Sequence, residues 1–322
     1  MSPSPRSQPT GERLDLRVRD LRFEADGVLS IGLERPDGQA LTAWQPGAHL
    51  DVRFATGVER QYSLCSDPSD RFEWRVAVLR EEPSRGGSQY VHESLRPGDL
   101  VSVGSPINTF AQASAARYVF IAGGIGITPL LPMIQSAEAS GARWSLAYLG
   151  REEERMAFRG HPLLAGGDVE IFARDRGARI DLATWIGTVE NAVVYACGPE
   201  RLLEALEDLA TDWPSGTLHV ERFQAKALAE PLSADAFEVE CRRSGVSLTV
   251  ENGCSILEML ESAGIGVPSS CLEGVCGTCE TPLIDGEAEH RDSILSPDER
   301  EAQDTMMVCV SRALTSRLVL DI

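Results

Sequence analysis

The stretch Ser269-Ser270-Cys271-Leu272-Glu273-Gly274-Val275-Cys276-Gly277-Thr278-Cys279 sets three thiols at C-x4-C-x2-C spacing in a loop of small residues, too poor in apolar bulk to pack a core. A fourth thiol, Cys309, follows after 29 intervening residues, behind Asp304-Thr305-Met306-Met307-Val308. Gly274 and Gly277 let the backbone take positive φ and approach closely whatever the sulfurs hold.

Four thiolates in this order, three clustered and one distant, carry the spacing of plant-type [2Fe-2S] centres. Iron bridged by sulfide prefers soft thiolate ligands, and backbone N–H groups around the sulfurs offset the negative charge. The expected ligands are therefore Cys271, Cys276, Cys279 and Cys309. Zinc is the poorer-fitting alternative, because structural zinc sites pair two short C-x2-4-C halves. Disulfides fit less well, since nothing in the sequence points to an oxidising compartment.

Working outward, 322 residues give room for two or three domains, each with its own core. No run approaches 18 apolar residues, so no membrane-spanning helix is expected. The opening Met1-Ser-Pro-Ser-Pro-Arg-Ser-Gln-Pro-Thr10 is polar and proline-rich with no apolar h-region. It reads as a flexible tail, and the expected location is cytoplasmic. Cys65, Cys197, Cys241 and Cys254 share no spacing and read as small buried hydrophobes.

A net charge of −19 speaks against nucleic acid or an anionic membrane as partner. Residues 235–322 hold 17 Asp and Glu against six Arg and no Lys, or −11, so more than half of the excess travels with the thiol segment. That concentration serves either to solvate a small acidic domain or to steer it towards a basic face on a protein partner.

From Arg13 to about Val103, short alternating segments are separated by Pro36-Asp37-Gly38, Pro46-Gly47, Asp67-Pro68 and Pro97-Gly98-Asp99. This punctuation predicts an antiparallel β-barrel or sandwich, the barrel being the expectation carried forward. Near Arg117 the period changes. Tyr118-Val-Phe-Ile-Ala122 is a continuous apolar run, and later runs at 144–149, 169–173 and 192–196 alternate with helical patterns, which predicts a doubly wound parallel sheet. Residues 224–234 break the order with Ala, Pro and Ser and hold Lys226, the chain's one lysine. The expected organisation is a tail at 1–12, a barrel at 13–112, an α/β domain at 113–223, a linker at 224–234 and an α+β domain of β-grasp type at 235–322.

Gly123-Gly124-Ile125-Gly126-Ile127-Thr128-Pro129 sits where a strand gives way to a helix. Glycines there admit a pyrophosphate to the backbone and the positive helix end, Thr128 is placed to cap, and Pro129 suits the first turn. Cys197-Gly198-Pro199 ends a second parallel strand, so both turns can face one crevice at the carboxyl ends. In the barrel, Arg60, Gln61, Tyr62 and Ser63 begin a strand, with Arg60 and Tyr62 on one face and Ser63 on the other. An Arg suits a phosphate and a Tyr a flat ring. Arg85-Gly86-Gly87-Ser88 precedes a helical stretch and offers N–H groups and a hydroxyl to the same phosphate.

The order R-x-Y-S-L, R-G-G-S, G-G-x-G-I-T-P, C-G-P and a carboxy-terminal ferredoxin pattern resembles the phthalate dioxygenase reductase family, vanillate O-demethylase reductases included, over nearly the whole chain. The resemblance implies FMN held by Arg60, Gln61, Tyr62, Ser63, Gly86, Gly87 and Ser88, with Thr128 near the flavin's reactive edge and Phe223 beside the ring. It implies a nicotinamide nucleotide over Gly123, Gly124, Gly126, Thr128, Pro129, Cys197, Gly198 and Pro199. The implied activity is NADH-dependent reduction of FMN and the [2Fe-2S] cluster for delivery to a Rieske-type oxygenase with a basic docking face. Cys197 and Glu221 are candidates to line the nicotinamide site, an exposed strand carboxylate being the plainer reading of Glu221.

One position departs from the family. Ser105-Pro106-Ile107-Asn108-Thr109-Phe110 stands where relatives commonly read P-R-N-x-F, which removes an Arg in favour of Ile107. An FAD enzyme of phenylacetate-hydroxylase-reductase type and a zinc-stabilised binding module are the alternatives. The short path from Val103 to Arg117 leaves little room for an adenylate and favours FMN. Gly150-Arg151-Glu152-Glu153-Glu154 mixes one Arg with three carboxylates, which favours NADH over NADPH.

Overall fold

The structure, a computed structural model, describes residues 13–166, 168–226, 230–233 and 235–322. The expected tail at 1–12, and positions 227–229 and 234 of the expected linker, lie outside the described residues. The chain divides into two compact units, one ending at Glu221 and the other spanning Arg222–Ile322.

The first unit opens with β1 (Arg13–Ala25), β2 (Val28–Glu34), β3 (Ala48–Arg53), β4 (Glu59–Ser63) and β5 (Trp74–Leu79). After these come helix α1 (Gly87–Glu93), β6 (Leu100–Gly104) and the short β7 (Ile107–Asn108). They pair in the order β4-β3-β6-β1-β2-β5, with β7 on β3. A bridge from Leu64, just past β4, to Val76 in β5 joins the two ends and closes the barrel. Leu16, Val18, Ile31, Leu33, Leu50, Val52, Trp74, Val76, Val101 and Val103 fill it. Each fully buried side chain of this size contributes about 1.5–3 kcal/mol of transfer free energy. β1 is longer than its sequence pattern indicates. The apolar alternation stops at Val18, but register shifts at Val18/Asp20 and Phe23/Ala25 carry the ladder on to Ala25.

The same unit continues with β8 (Arg117–Gly123), α2 (Leu130–Ser140), β9 (Arg143–Gly150), α3 (Pro162–Ala165) and β10 (Asp168–Ala173). Then follow α4 (Leu182–Ile186), β11 (Val193–Cys197), α5 (Glu200–Leu209) and β12 (Leu218–Glu221). The sheet is all parallel in the order β10-β9-β8-β11-β12. Alternate residues of β8 serve opposite faces. Phe120 and Ala122 pack with Leu130, Met133 and Ile134 of α2, while Val119 and Ile121 pack with Leu203 and Leu206 of α5. The first of these cores also takes in Ala25, Val28, Cys65 and Ala77 of the barrel. Barrel and sheet therefore share one core, which is why two expected domains form a single unit. The connecting segment is fastened by Tyr195, whose hydroxyl donates to the Ala111 carbonyl at 3.0 Å and accepts from the Ala113 amide at 2.7 Å.

The second unit contains β13 (Phe237–Cys241), β14 (Val246–Val250), α6 (Ile256–Ser262), β15 (Glu280–Asp285) and β16 (Ala288–Glu289). It ends with α7 (Pro297–Ala302), β17 (Thr305–Met307), β18 (Arg312–Ala313) and β19 (Arg317–Leu320). The mixed sheet runs β14-β13-β19-β15-β17, with β13 parallel to β19 and its other pairs antiparallel. Ser255 and Glu258 form a reciprocal capping box on α6, which buries Ile256, Leu257 and Leu260 against the sheet. The described part of the expected linker is tied to this unit, for the Leu232 amide donates to Glu289 at 3.1 Å.

Candidate functional site

The two glycine-bearing turns of the parallel sheet lie directly on one another. A Cβ on Gly126 would stand 2.2 Å from the Cys197 carbonyl oxygen, one on Gly123 would meet Pro199 at 2.5 Å, and one on Gly198 would meet the Gly123 Cα at 2.8 Å. These three positions are glycine because one turn seats against the other. Only Gly124 faces open space, with φ +55°. The glycine run was expected as a whole to admit a phosphate; of Gly123, Gly124, Gly126 and Gly198, Gly124 alone has open space beside it.

The expected helix cap is also corrected. Gly124–Ile127 form a 3-10 turn that ends at Thr128, Pro129 occupies the N-cap position of α2, and α2 has no side-chain cap. The Thr128 hydroxyl donates to the Ile125 carbonyl at 3.0 Å, and the residue is buried.

Beside these turns the barrel and the last strand of the sheet meet. Ser63 at the end of β4 donates to Glu221 Oε2 at 3.3 Å, and Cys197 Sγ lies 4.0 Å from the same oxygen. The strands explain the meeting, because β11 and β12 are parallel in register with Cys197 opposite Glu221. Glu221 is not the exposed carboxylate of the plainer reading. Burial pushes its pKa up to about 8, with the Ser63 hydrogen bond pulling the other way. Burial, then the Glu221 charge, raises Cys197 well above an ordinary thiol, so it stays protonated.

On the barrel, Arg60 and Tyr62 share a face as alternation requires, and Gly87 sits beneath both. A Cβ there would be 2.6 Å from Arg60 Cγ and 3.3 Å from the Tyr62 hydroxyl. Gly86 holds φ +94° ahead of α1, and the Arg60 guanidinium donates to the carbonyls of Arg85, at 2.5 Å, and Glu59. Ser88 is buried, and its hydroxyl accepts from the Glu81 amide at 3.2 Å. Burial raises the Tyr62 phenol, which keeps it neutral. On the opposite face Gln61 donates to Asp51 at 2.8 Å, across the register pair of β3 and β4. Asp51 went unnoticed in the sequence, although a hairpin register for β3 and β4 would have found it. A guanidinium beside a glycine turn and a neutral ring-bearing face suit a flavin phosphate and its isoalloxazine.

In the second unit the four candidate thiols come together. Cys276, Cys279 and Cys309 are buried and Cys271 is half-buried. Cys271 Sγ accepts the amides of Glu273 and Val275, and Cys276 Sγ that of Thr278, each at 3.4 Å. The Cys276 and Cys309 thiols, with those amides, hold Cys271 far below an ordinary thiol. Cys279 is lowered by its contact with Cys309. The Thr278 hydroxyl is buried without an oxygen or nitrogen partner and lies against Cys276. Leu272, Gly274 and Gly277 all hold positive φ, which turns the amides inwards. Among the described residues no three His, Cys, Asp or Glu side chains converge as on a single ion. A cluster of two irons asks only two thiolates of each, and the paired contacts fit it.

A support for this loop was invisible in the sequence. Asp292 and Val310 close over Gly274, where a Cβ would meet Val310 at 2.7 Å and the Asp292 Cα at 3.0 Å, and the Ser293 amide donates to the Gly274 carbonyl. Phe223 is the second residue of the second unit and is 40% exposed. Ile107, at the departure from the family pattern, is buried on β7 and offers no charge to a ligand.

A closed barrel with an Arg-Tyr face, a doubly wound sheet with paired glycine turns and a thiol loop define a modular electron-transfer reductase. Residues 239–314 match the family profile of the 2Fe-2S iron-sulfur cluster binding domain. The chain is 41% identical over 312 residues to the phenoxybenzoate dioxygenase subunit beta of Ectopseudomonas oleovorans, covering 96% of this chain and 97% of that protein. Among solved structures it is similar to phthalate dioxygenase reductase, described as a modular structure for electron transfer from pyridine nucleotides to [2Fe-2S], at 37% identity and TM-score 0.68, covering 96% and 98% of the two chains. It is also similar to an intact type IV self-sufficient cytochrome P450 monooxygenase, at 41% identity and TM-score 0.90, covering 96% of this chain but 41% of that one. The chain belongs to the phthalate dioxygenase reductase family. No helix among the described residues is long and apolar enough to cross a membrane.

Proposed function

We propose that this protein is the NADH-dependent reductase component of an oxygenase system, with FMN on the barrel, the nicotinamide nucleotide over the paired turns and a [2Fe-2S] cluster in the carboxy-terminal unit. The observation that carries this reading is the junction of Ser63, Cys197 and Glu221, which joins the barrel's Arg60–Ser63 strand to the turns of the parallel sheet. When bound, these groups supply redox chemistry: nicotinamide transfers a hydride, flavin exchanges two electrons for single ones, and the cluster handles one at a time.

The residues of the chain bind, orient and insulate. Arg60 and the amides of Gly86, Gly87 and Ser88 hold the flavin phosphate, Tyr62 covers a ring face, and Gln61, braced by Asp51, keeps the strand in register. Gly124 offers the backbone to the pyrophosphate, while Gly123, Gly126, Gly198 and Pro199 keep the turns locked. Thr128 fixes the turn from below through Ile125. With its pKa raised to about 8, Glu221 is mostly protonated at neutral pH and adds little negative charge beside turns that would face a dinucleotide with two phosphates. Cys271, Cys276, Cys279 and Cys309 hold the cluster.

The partner is an oxygenase component, read as Rieske-type with a basic face that complements the −11 of residues 235–322. A cytochrome P450 is the second reading, favoured by the self-sufficient monooxygenase whose structure contains a segment of this fold. Extracting and weighing the flavin tests FMN against FAD. NADH-driven reduction of a purified Rieske oxygenase and of a P450 haem domain, side by side, tests the acceptor. FAD in the extract, or transfer to the haem alone, would overturn the respective assignment.

A further inference from the structure

The rim of the nucleotide sheet carries two arginines that a linear reading separates. β9 and β10 are parallel and in register, with Phe172 opposite Leu149 and Ala173 opposite Gly150. The next residue on each strand is an arginine, Arg151 and Arg174. The Asp175 amide donates to the Arg151 carbonyl at 3.0 Å, so the two backbones stay side by side beyond the strand ends. Neighbouring strands lie about 5 Å apart, which puts two guanidinium groups within reach of one ligand.

Both arginines are exposed, and among the described residues neither has an ion-pair partner. The surrounding charges are largely spent on each other. Glu153 pairs with Arg159 and, at 2.8 Å, with Arg176. Asp175 accepts the Glu153 amide at 3.2 Å, and Arg155 lies 3.9 Å from Asp26. Glu152 and Glu154 are exposed further along the loop.

In a doubly wound sheet with the pyrophosphate at the turn after β8, the adenosine half extends over the carboxyl ends of the next strands. There a carboxylate suits a ribose 2′-hydroxyl, and arginines suit a 2′-phosphate through charge-assisted, bidentate hydrogen bonds. We propose that Arg151 and Arg174 form a 2′-phosphate subsite, so that the protein takes NADPH as well as NADH. The inference rests on the reading of Gly124 and its turn as the pyrophosphate site. Within the sequence the subsite is masked, because Arg151 precedes three carboxylates and Arg174 lies 23 positions further on.

Isothermal titration of the full-length holoprotein at low salt with 2′,5′-ADP and with 5′-AMP tests it. The expected result is 2′,5′-ADP binding at least about tenfold tighter. That preference should fall below about twofold in the Arg151→Gln/Arg174→Gln double variant and partly return with Lys at both positions, melting behaviour being unaltered. Equal affinities in the unaltered protein overturn the subsite, as does a preference that survives the double substitution. If neither ligand binds, the adenosine half does not lie on this rim and the subsite falls with it. NADH reduction of the flavin in the same preparation then separates that failure from failure of the reductase reading.

Discussion

Ser63 and Glu221 stand 158 residues apart, yet the Ser63 hydroxyl donates to Glu221 Oε2 at 3.3 Å. The contact unites the barrel strand expected to carry the flavin with the last strand of the nucleotide sheet. It places a carboxyl group that resists ionisation beside a buried thiol, and predictions about pH follow from that placement.

Glu221 has a folded pKa of about 8 against an unfolded value of 4.5. The folded state therefore binds the extra proton between these values, and stability falls as pH rises from about 5 to 8. Glu221→Gln should be the more stable protein at pH 8, by a margin on the order of a few kcal/mol that closes towards pH 5. Parallel thermal melts across this range check it, and a constant offset between the two proteins would contradict it.

Gly126→Ala sets a Cβ 2.2 Å from the Cys197 carbonyl oxygen, and the nearest atoms are all backbone of Cys197 and Gly198, with no flexible side chain among them to yield. A destabilisation of about 2–4 kcal/mol and a loss of nucleotide affinity are expected. Gly124→Ala meets nothing within 4 Å and should cost only the about 1–2 kcal/mol of a left-handed non-glycine residue. Denaturant unfolding and 5′-AMP binding of the two variants distinguish a packing glycine from a ligand-facing one.

Much of this was readable in advance. The thiol spacing, the barrel punctuation and the alternation of apolar runs with helices each reflect local constraints, and the structure follows them at Cys271–Cys279, at the strand pair β3 and β4, and at β8. What escaped the sequence depends on contacts between distant segments. The seating of Gly126 on Cys197, the half-buried place of Glu221 beside Ser63, the neighbouring positions of Arg151 and Arg174 past the ends of β9 and β10, and the brace from Asp292 to Gly274 all require the topology before any residue can be given its role. The barrel and sheet were expected as two domains because a change of period marks a change of architecture, whereas a shared core at Ala25, Val28, Cys65 and Ala77 leaves no such mark.

Tyr195→Phe removes a donor to Ala111 and leaves the Ala113 amide without its acceptor. About 1–3 kcal/mol should be lost from the first unit. The flavin absorbance should report earlier melting there while the iron–sulfur absorbance is retained, and simultaneous loss of both would contradict the assignment of Tyr195 to the first unit alone.

Glu273→Gln with Glu280→Gln should slow electron delivery to the oxygenase at low salt, by roughly tenfold or less, with the difference vanishing at high ionic strength. NADH-driven flavin reduction should be unaltered. Equal loss in both assays would assign these carboxylates to the cluster or the fold.

The most direct test of the account is an anaerobic titration of the purified protein with NADH, followed by visible absorbance and low-temperature electron paramagnetic resonance. Bleaching of the flavin band together with the signal of a reduced [2Fe-2S] cluster, both lost from the spectrum of a Cys309→Ser variant only in their iron–sulfur part, is the predicted result. A protein that reduces its flavin but develops no cluster signal, or that carries neither chromophore, would contradict it.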